Sequence, residues 1–356
     1  MTDLKQQETK FVQFRIRLWS LITAAGAIAS VVTILSFFGP LSWFFDLISH
    51  FRVQYFLALT AAALLLLIPR QHKAALCFTL LATANLSMIL PLYLGHAEGC
   101  SGSHPTFRAM LLNVNTKLGN ADRVRAVINK FDPDIVVLEE VNARWIEDLR
   151  LVTSRYAHSK IQPREDNFGI ALYSRLPISQ ANIVYIGGAG VPSVIAEVDV
   201  AGERATVIST HPLPPAGSSY SRWRNDQLEK IPDFVGNATS PVLLLGDLNV
   251  TPWSHHFRRL LKRSGLRDAS QGSGVQPTWP THNRLLRIPI DHCLHSPEIV
   301  VVQKEIGPHV GSDHFPVIVD FIVASIEKVG GQPASSGDSQ NKTVLAGCRK
   351  IEICHF

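Results

Sequence analysis

Two short polar motifs in the second half of this chain combine residue types that can do acid–base or metal chemistry. In GDLNVTPW, after the apolar run VLLL, Asp247 and Asn249 are two apart; in GSDHFP, before VIVDF, Asp313 and His314 are adjacent. Side chains two apart on a strand share one side of the sheet, so Asp247 and Asn249 should face one site. A carboxylate and an imidazole at a strand edge can transfer protons. Taken alone, each motif fits an ordinary turn equally well.

Four further polar residues lie at the ends of apolar runs. Asn113 ends RAMLLN, Glu140 follows the strand of DPDIVVLEEV, His211 ends ATVISTH, and Asp291 lies in PIDHCLHS. Adjacent strand residues face opposite ways, so of Glu139 and Glu140 one should point into the site and the other away. A carboxylate at Asp291 that accepts an imidazole N–H would favour the imidazolium. Singly, such residues are more often satisfied hydrogen-bonding groups than catalysts.

Together these strand ends favour one kind of chemistry. Carboxylate and amide oxygens suit a hard cation such as Mg²⁺, which prefers oxygen ligands and keeps waters for exchange. Imidazoles and an asparagine can supply protons and hydrogen bonds to a phosphoryl group that gains charge. The sequence has no zinc-type spacing, no G-x-S-x-G motif and no phosphate-binding loop. The residues therefore predict metal-assisted phosphoryl chemistry.

Short β-branched runs and helical patterns alternate from about Phe107 to Val323, a length of roughly 215 residues that suits one large domain. Asn120 can cap a helix that runs to Phe131, and Ser254 can cap another with Phe257, Leu260 and Leu261 inward and Gly265 at its end. The predicted strands are Arg108–Asn113, Ile135–Glu140, Gly169–Ser174, Ser193–Val200, Ala205–Thr210, Val242–Gly246 and Pro316–Ile322.

The order of these motifs resembles the endonuclease/exonuclease/phosphatase superfamily. This superfamily includes DNase I-like nucleases, abasic-site endonucleases, neutral sphingomyelinases and inositol-polyphosphate 5-phosphatases. The resemblance spans 107–323 and implies an α/β fold, a four-layer α/β sandwich of two mixed sheets covered by helices. The motifs that carry it are Asn113, LEEV at Glu140, NFGIALYSRLPI, STHP at His211, GDLN, IDH at Asp291 and SDHFP.

The resemblance implies a magnesium site. Glu140 is similar to the main Mg²⁺ ligand of the superfamily, with Asn113 beside it and Asp313 near the metal; Mn²⁺ is the alternative cation. Many members have glutamine where this chain has Glu139. Because Glu139 should face away from Glu140, we expect that departure to have little catalytic effect.

The resemblance also implies a catalytic set. Asp247 is similar to the residue that orients or deprotonates the attacking water, and Asn249 to its phosphate-binding neighbour. His314, oriented by Asp291, and His211 look like the pair that contacts the scissile phosphate and stabilises its developing charge. Members assign the general base and general acid differently, so the resemblance does not fix those two roles.

The first 95 residues have a different composition from the rest. Charged residues make up only 18% of the chain, against roughly 25% in an average soluble domain. Charge-free stretches of 28, 17 and 24 residues lie between Arg17 and Asp46, between Arg52 and Arg70, and between Lys73 and Glu98. A bilayer core needs roughly 20 mostly apolar residues as a helix, so we expect an all-α region of three transmembrane helices, about 18–38, 52–69 and 74–94. Asn85, in the third span, should form a helix-packing hydrogen bond.

The flanking basic residues predict the orientation of these spans. Four Lys or Arg residues precede the first span and two separate the second from the third, whereas the first loop has only Arg52. Because Lys and Arg of short loops stay on the cytoplasmic side, residues 1–17 should be cytoplasmic. Everything beyond Gly95 should then lie outside, in a bacterium on the periplasmic side of the inner membrane. A cleaved signal peptide is the competing interpretation of the first span, which is long for one.

The segments around the outer domain carry weaker signals. We expect residues 95–106 to form a linker, and the Gly-, Ser- and Gln-rich stretch within 324–356 is typical of a flexible tail. Cys348 and Cys354 in that tail could pair or bind metal with His355, but their spacing matches no strong signature. No protein partner can be inferred.

The sequence leaves the substrate open between nucleic acid and a phospholipid head group. Two basic clusters could follow a nucleic-acid backbone, or the second could be the solvated face of an amphipathic helix. Three hypotheses remain: an outward-facing membrane-anchored nuclease or phosphodiesterase, a lipid phosphodiesterase or phosphatase that acts on sphingomyelin or a phosphoinositide, and a non-catalytic tethered binding domain. The clusters are Arg222 and Arg224 around Trp223, and Arg258, Arg259, Lys262 and Arg263 after GDLN.

Overall fold

The computed structural model describes residues 2–95 and 105–324. Most of the predicted linker and of the predicted tail, with Cys348 and Cys354, lies outside these residues. The chain divides into two compact units. The N-terminal helices and the segment Trp253–His255 form the first, and the strands form the second.

Two helices of the first unit are long and apolar enough to cross a membrane, over Leu18–Ser36 and His72–Leu92. The middle span that the sequence predicted meets the same criterion only when α2 and α3, bent by 63°, are taken together. The helices are α1 (Thr2–Ser36), α2 (Trp43–Ser49), α3 (Arg52–Leu66) and α4 (His72–Ile89).

Polar side chains link the helices of this unit in its interior. Asn85 on α4 donates from Nδ2 to Thr33 Oγ1 on α1 at 3.0 Å, and Arg52 on α3 donates to Asn85 Oδ1 at 3.3 Å. All three side chains are buried. Asn85 therefore makes the helix-packing hydrogen bond predicted from the sequence, with a charged partner that the sequence did not suggest.

The second unit contains two six-stranded mixed sheets. Their strand orders are β11-β12-β1-β2-β4-β3 and β5-β6-β7-β8-β10-β9. In each sheet one central pair is parallel, β1 with β2 and β7 with β8, and the other pairs are antiparallel. The strands are β1 (Phe107–Asn113), β2 (Ile135–Glu139), β3 (His158–Gln162), β4 (Ile170–Ser174), β5 (Ile178–Val184), β6 (Ser193–Val200), β7 (Glu203–Thr210), β8 (Val242–Asp247), β9 (Arg267–Asp268), β10 (Asp291–His295), β11 (Ile299–Ile306) and β12 (Val317–Val323).

Three apolar cores make this unit a four-layer sandwich, as the sequence resemblance implied. One core joins the inner faces of the two sheets, for example Leu111 with Leu245. The outer face of the first sheet packs on α5 and α6, and that of the second on α7 and α8. These helices are α5 (Ala121–Phe131), α6 (Ala143–Thr153), α7 (Ser218–Gly236) and α8 (His255–Ser264).

The strongest local signals in the sequence correspond to observed elements. Asn120 caps α5 by accepting the N–H of Arg123 at 3.0 Å, because an asparagine oxygen can satisfy an N–H that has no partner in the first helical turn. α8 buries Phe257 and Leu260 as predicted. The sequence patterns did not predict α6, α7, β3, β5, β9 or β11.

Candidate active site

The predicted site residues meet at one edge of the two facing sheets. β1 and β2 are parallel and end there with Asn113 and Glu139; β7 and β8 are parallel and end there with Thr210 and Asp247. β10 runs the other way and begins with Asp291 directly opposite Asp247. Every strand end in this set is buried.

Asp247 lies between two imidazoles. Its Oδ2 is 3.5 Å from Nε2 of His211 and 3.6 Å from Nε2 of His314. Its Oδ1 accepts the backbone N–H of Asn249 at 3.0 Å. Burial alone would raise the pKa of Asp247, but the two histidines and the backbone N–H hold it below its ordinary value. The residue therefore remains a carboxylate in a buried position.

His314 forms a hydrogen-bonded pair with Asp291. Its Nδ1 is 3.0 Å from Asp291 Oδ2, and the Ser312 hydroxyl accepts its backbone N–H at 3.1 Å. Burial lowers the pKa of His314, but the carboxylates of Asp291 and Asp247 outweigh it and raise that pKa to about 10. With Nδ1 directed at Asp291, Nε2 is directed at Asp247, as expected for an oriented imidazolium.

His211 completes the set from the other side of Asp247. Burial lowers its pKa, yet the hydrogen bond to Asp247 and the charge of Glu139 raise it to about 9. The ring of Phe168 lies 5.4 Å from its own, centroid to centroid. Its buried Nδ1 has no hydrogen-bond partner among the described residues, so this nitrogen is available to a bound group.

Glu140 has the features of a cation ligand. It follows β2 with φ at +60°, a left-handed conformation that costs a residue with a Cβ roughly 1–2 kcal/mol and that is often found at functional sites. Its Oε1 accepts from Asn113 Nδ2 at 3.0 Å, whereas its buried Oε2 has no partner among the described residues. An unpartnered buried carboxylate oxygen fits a hard cation.

A second group of possible ligands, Asp247, Asp291 and His314, has donor atoms within 4.8 Å of one another. In that group, His314 Nδ1 and the carboxylate of Asp291 are already hydrogen-bonded to each other. Glu140, in contrast, keeps a buried carboxylate oxygen that has no partner among the described residues.

Asp313 accepts two side-chain hydrogen bonds. Asn115 Nδ2 donates to its Oδ1 at 2.7 Å, and Trp279 Nε1 donates to its Oδ2 at 2.8 Å. Asn113 Oδ1 in turn accepts the backbone N–H of Asn115 at 3.0 Å. The loop after β1 thus links Asn113 to Asp313.

Glu139 lies deeper in the site than the sequence suggested. It is fully buried, and its Oε2 accepts the backbone N–H of Asp247 at 3.0 Å across the gap between the two sheets. Burial raises its pKa to about 8, with His211 acting in the opposite direction. The strand alternation correctly separates Glu139 from Glu140. On the side away from Glu140, however, the carboxylate of Glu139 contacts the backbone of Asp247.

Arg224 is a supporting residue, although the sequence suggested a basic cluster around Trp223 that could follow a nucleic-acid backbone. Its side chain is fully buried and donates from Nη1 to the backbone oxygen of Asn249 at 2.9 Å. Asn249 has φ at +51°, and its Nδ2 donates to the backbone oxygen of Pro212 at 3.0 Å. One turn along α7, Gln227 donates to Thr210 at 2.8 Å. α7 therefore supports the loop after β8 and the end of β7.

Two of the four basic residues in the second cluster form ion pairs. Arg259 on α8 lies 2.6 Å from Glu229 on α7, and Arg263 lies 3.4 Å from Asp233. For these two arginines, the interpretation as a helix surface face describes the structure better than a free track for nucleic acid.

The family model described as "Endonuclease/Exonuclease/phosphatase family" matches residues 110–314, more than half of the chain. The chain belongs to this family. Its members are typically hydrolases that act on phosphoesters and are generally dependent on a divalent metal. The match runs from β1 to His314 and so contains every predicted site residue described above.

Solved structures agree with the fold. An endonuclease/exonuclease/phosphatase from Bacteroides vulgatus is 20% identical, covers 62% of this chain and 99% of its own, and has a TM-score of 0.51. TDP2 of D. rerio, complexed with a single-strand DNA product, is 18% identical, with coverage of 61% and 98% and a TM-score of 0.52. The human Nocturnin catalytic domain is 17% identical, with coverage of 61% and 94% and a TM-score of 0.50. A search of curated proteins found no match. At these identities the likeness concerns the fold alone.

Proposed function

We propose that this chain is a membrane-anchored, Mg²⁺-dependent phosphodiesterase. One arrangement supports the proposal most directly: a buried carboxylate, Asp247, between two histidines whose pKa values are raised to about 9 and about 10. Glu140, with its unpartnered buried oxygen, lies beside this arrangement through Asn113. A phosphoester that binds there would meet positive charge and a proton acceptor together.

In this proposal each residue has a role that its contacts allow. Asp247 orients the attacking water or accepts its proton, while His211 and His314, both charged at neutral pH, stabilise the charge that develops on the phosphoryl oxygens. Asp291 keeps His314 oriented, and Asn249 positions the phosphate.

The cation would be held by Glu140, with Asn113 beside it and Asp313 near it. A bound Mg²⁺ supplies Lewis-acid polarisation of a phosphoryl oxygen; Mn²⁺ would serve in the same way. Its binding would also satisfy the buried oxygen of Glu140 that has no partner among the described residues.

We further propose that the second unit lies outside the cytoplasm of the cell that makes it. Two apolar helices and the α2–α3 pair support three crossings of the inner membrane, and the excess of Lys and Arg before the first span supports a cytoplasmic N-terminus. A multi-pass anchor of this kind would restrict the enzyme to extracytoplasmic or bilayer-surface substrates.

Two substrate classes remain as candidates. Nucleic acid is favoured by the family and by the DNA product bound to the related fold of TDP2. A phospholipid head group is favoured by tethering beside a bilayer and by the burial or pairing of Arg224, Arg259 and Arg263. A non-catalytic binding domain is the least favoured, since every motif residue is present and the catalytic set lies at one sheet edge.

A substrate panel tests this proposal. The full chain in lipid nanodiscs would be offered an oligonucleotide, sphingomyelin, a phosphoinositide and bis(4-nitrophenyl) phosphate, each with Mg²⁺ and with a chelator. We expect hydrolysis of at least one diester that the chelator abolishes. Hydrolysis of none, with Mg²⁺ or Mn²⁺, would refute the proposed activity.

A further inference from the structure

Two surface loops at the active-site edge expose leucines next to basic residues. The first, 116–119, has the sequence TKLG and follows β1; the second, 281–287, has the sequence THNRLLR and precedes β10. We call them the rim loops. Leu118 is 63% exposed, Leu285 is 81% exposed and Leu286 is 49% exposed. Neither loop contains Asp or Glu.

Both rim loops are attached to the same segment of the site, residues 310–313. Next to the first loop, Asn120 donates its backbone N–H to Val310 at 3.1 Å. At the base of the second loop, Thr281 donates its backbone N–H to the Asp313 oxygen and its hydroxyl to the Ser312 oxygen, both at 2.9 Å. The exposed leucines are therefore carried by loops that border Asp313.

The second rim loop has a braced conformation that presents its leucines. Asn283 Oδ1 accepts the backbone N–H groups of Leu285 and Leu286 at 3.0 and 3.3 Å. Arg287 donates to the backbone oxygen of Thr281 at 2.7 Å, which closes the base of the loop. Because local hydrogen bonds hold this backbone, the exposure of the leucines is a property of the folded loop.

The chemistry of the rim loops fits an anionic lipid surface. Single exposed leucines are ordinary on protein surfaces, but here three lie on two loops of one edge, beside the exposed basic side chains of Lys117 and Arg284. Apolar residues that enter the interface together with Lys or Arg that attract anionic head groups are the pattern of peripheral membrane binding. The phosphates of a nucleic acid would attract the basic side chains, but they would offer no apolar environment to the leucines.

The short segment between the proposed third span and β1 also favours a bilayer as the partner. The proposed third span ends at about Leu94 and β1 begins at Phe107, so only about a dozen residues connect them. A fully extended chain of that length reaches about 40 Å. If the helices span the membrane, the second unit cannot leave its vicinity.

We propose that the rim loops dock on the anionic lipid bilayer surface and place the active-site edge over phospholipid head groups. The inference rests on the proposed membrane anchoring and deepens the proposed function, because it names a bilayer-embedded phosphodiester as the substrate class.

A fluorescence experiment tests the docking without any use of activity. An environment-sensitive fluorescent amino acid replaces Leu285 in the full chain, which is reconstituted in nanodiscs of phosphatidylglycerol and phosphatidylcholine with or without brominated acyl chains. Leu151, on α6, is the matched control because it is 82% exposed and lies near the end of a helix that runs away from the site edge. We expect the emission of the probe at 285 to shift to the blue and its quenching by bromine to be at least twofold stronger than at 151. Both effects should be weaker in nanodiscs of pure phosphatidylcholine.

Equal quenching at the two positions would overturn the proposal. So would a probe at 285 that ignores the bilayer but responds to an added oligonucleotide, since that result would assign the rim loops to nucleic acid.

Hydrolysis then separates this inference from the proposed activity. Leu285→Glu combined with Leu286→Glu should reduce hydrolysis of a bilayer-embedded phospholipid at least tenfold relative to Leu151→Glu, and leave a soluble diester within twofold. An unchanged lipid rate would contradict docking. If the wild-type chain hydrolyses nothing, the proposed function fails, while the fluorescence result still decides the docking.

Discussion

Replacement of Asp291 by asparagine tests the electrostatic part of the site. In the wild type, His314 Nδ1 lies 3.0 Å from Asp291 Oδ2. Asparagine keeps the size of the side chain and an oxygen near this nitrogen, but it removes the charge. A buried hydrogen bond to a charged group contributes about 1.5–3 kcal/mol net. With about 2 kcal/mol lost, the imidazolium of His314 becomes about 30-fold less favoured over the neutral ring.

The stability of the protein should report this loss with a defined sign. In the folded protein the pKa of His314 is raised from 6.5 to about 10, by Asp291 and Asp247 against the opposing effect of burial. The resulting stabilisation is full below pH 6.5 and disappears as the pH rises through about 10. In Asp291→Asn it should be smaller and disappear at a lower pH, as measured by urea unfolding between about pH 6 and pH 10.

The catalytic effect should be larger than the effect on stability. An imidazole that loses its orienting carboxylate loses both its direction and its charge, so kcat/KM for a diester should fall by about 10²- to 10⁴-fold. Asp320→Asn is the matched control, because Asp320 pairs with Arg108 on the first sheet. This substitution should leave the rate nearly unchanged. A rate for Asp291→Asn within about threefold of wild type, with an unchanged pH profile, would refute this view of His314.

Three further substitutions extend the test. Glu140→Gln should raise the Mg²⁺ concentration for half-maximal activity at least about tenfold, and an unchanged metal titration would exclude Glu140 as the ligand. Arg224→Met leaves the Asn249 oxygen without its buried donor, so kcat/KM should fall about 5- to 100-fold, with partial recovery in Arg224→Lys; equal rates for wild type and Arg224→Met would contradict a positioning role. Glu139→Gln removes a group whose pKa is raised from 4.5 to about 8, so its contribution to stability is full below pH 4.5 and is lost as the pH rises through 8. The free energy of unfolding of this variant should therefore change less with pH between 4.5 and 8 than that of the wild type. An equal pH dependence in the two proteins would contradict the raised pKa.

The central strands could be predicted from the sequence because their apolar residues indicate burial. β2 and β8 are apolar runs that end in a polar residue, and β1 and β7 are buried over their last five and six residues, which is the pattern of a strand buried on both faces. The residues named for the site are the polar ends of these runs or of their neighbours. Their convergence on one edge follows once the strands are paired.

The elements that were not predicted lack that pattern of continuous apolar residues. β3 and β5 are only half-buried, so their residues show neither a continuous apolar run nor a strict alternation. α7 contains Pro232 and buries Arg224 and Gln227, residue types that usually indicate a surface. Only the three-dimensional structure shows that the chain past Asn249 needs a buried donor.

Glu139 illustrates a limit of strand periodicity. Alternation correctly places it on the opposite side from Glu140, but it cannot say what lies on that side. Here the second sheet brings the backbone N–H of Asp247 to its carboxylate. A contact between residues 108 positions apart has no counterpart in the local sequence.

The measurement that tests the central claim most directly is hydrolysis of bis(4-nitrophenyl) phosphate by the full chain and by Asp247→Asn. Asn is nearly the same size, so the variant should remain folded by circular dichroism while losing the charge between His211 and His314. We predict Mg²⁺-dependent turnover by the wild type and a loss of at least about 10³-fold in the variant. Turnover by Asp247→Asn at the wild-type rate would contradict the assignment of this site.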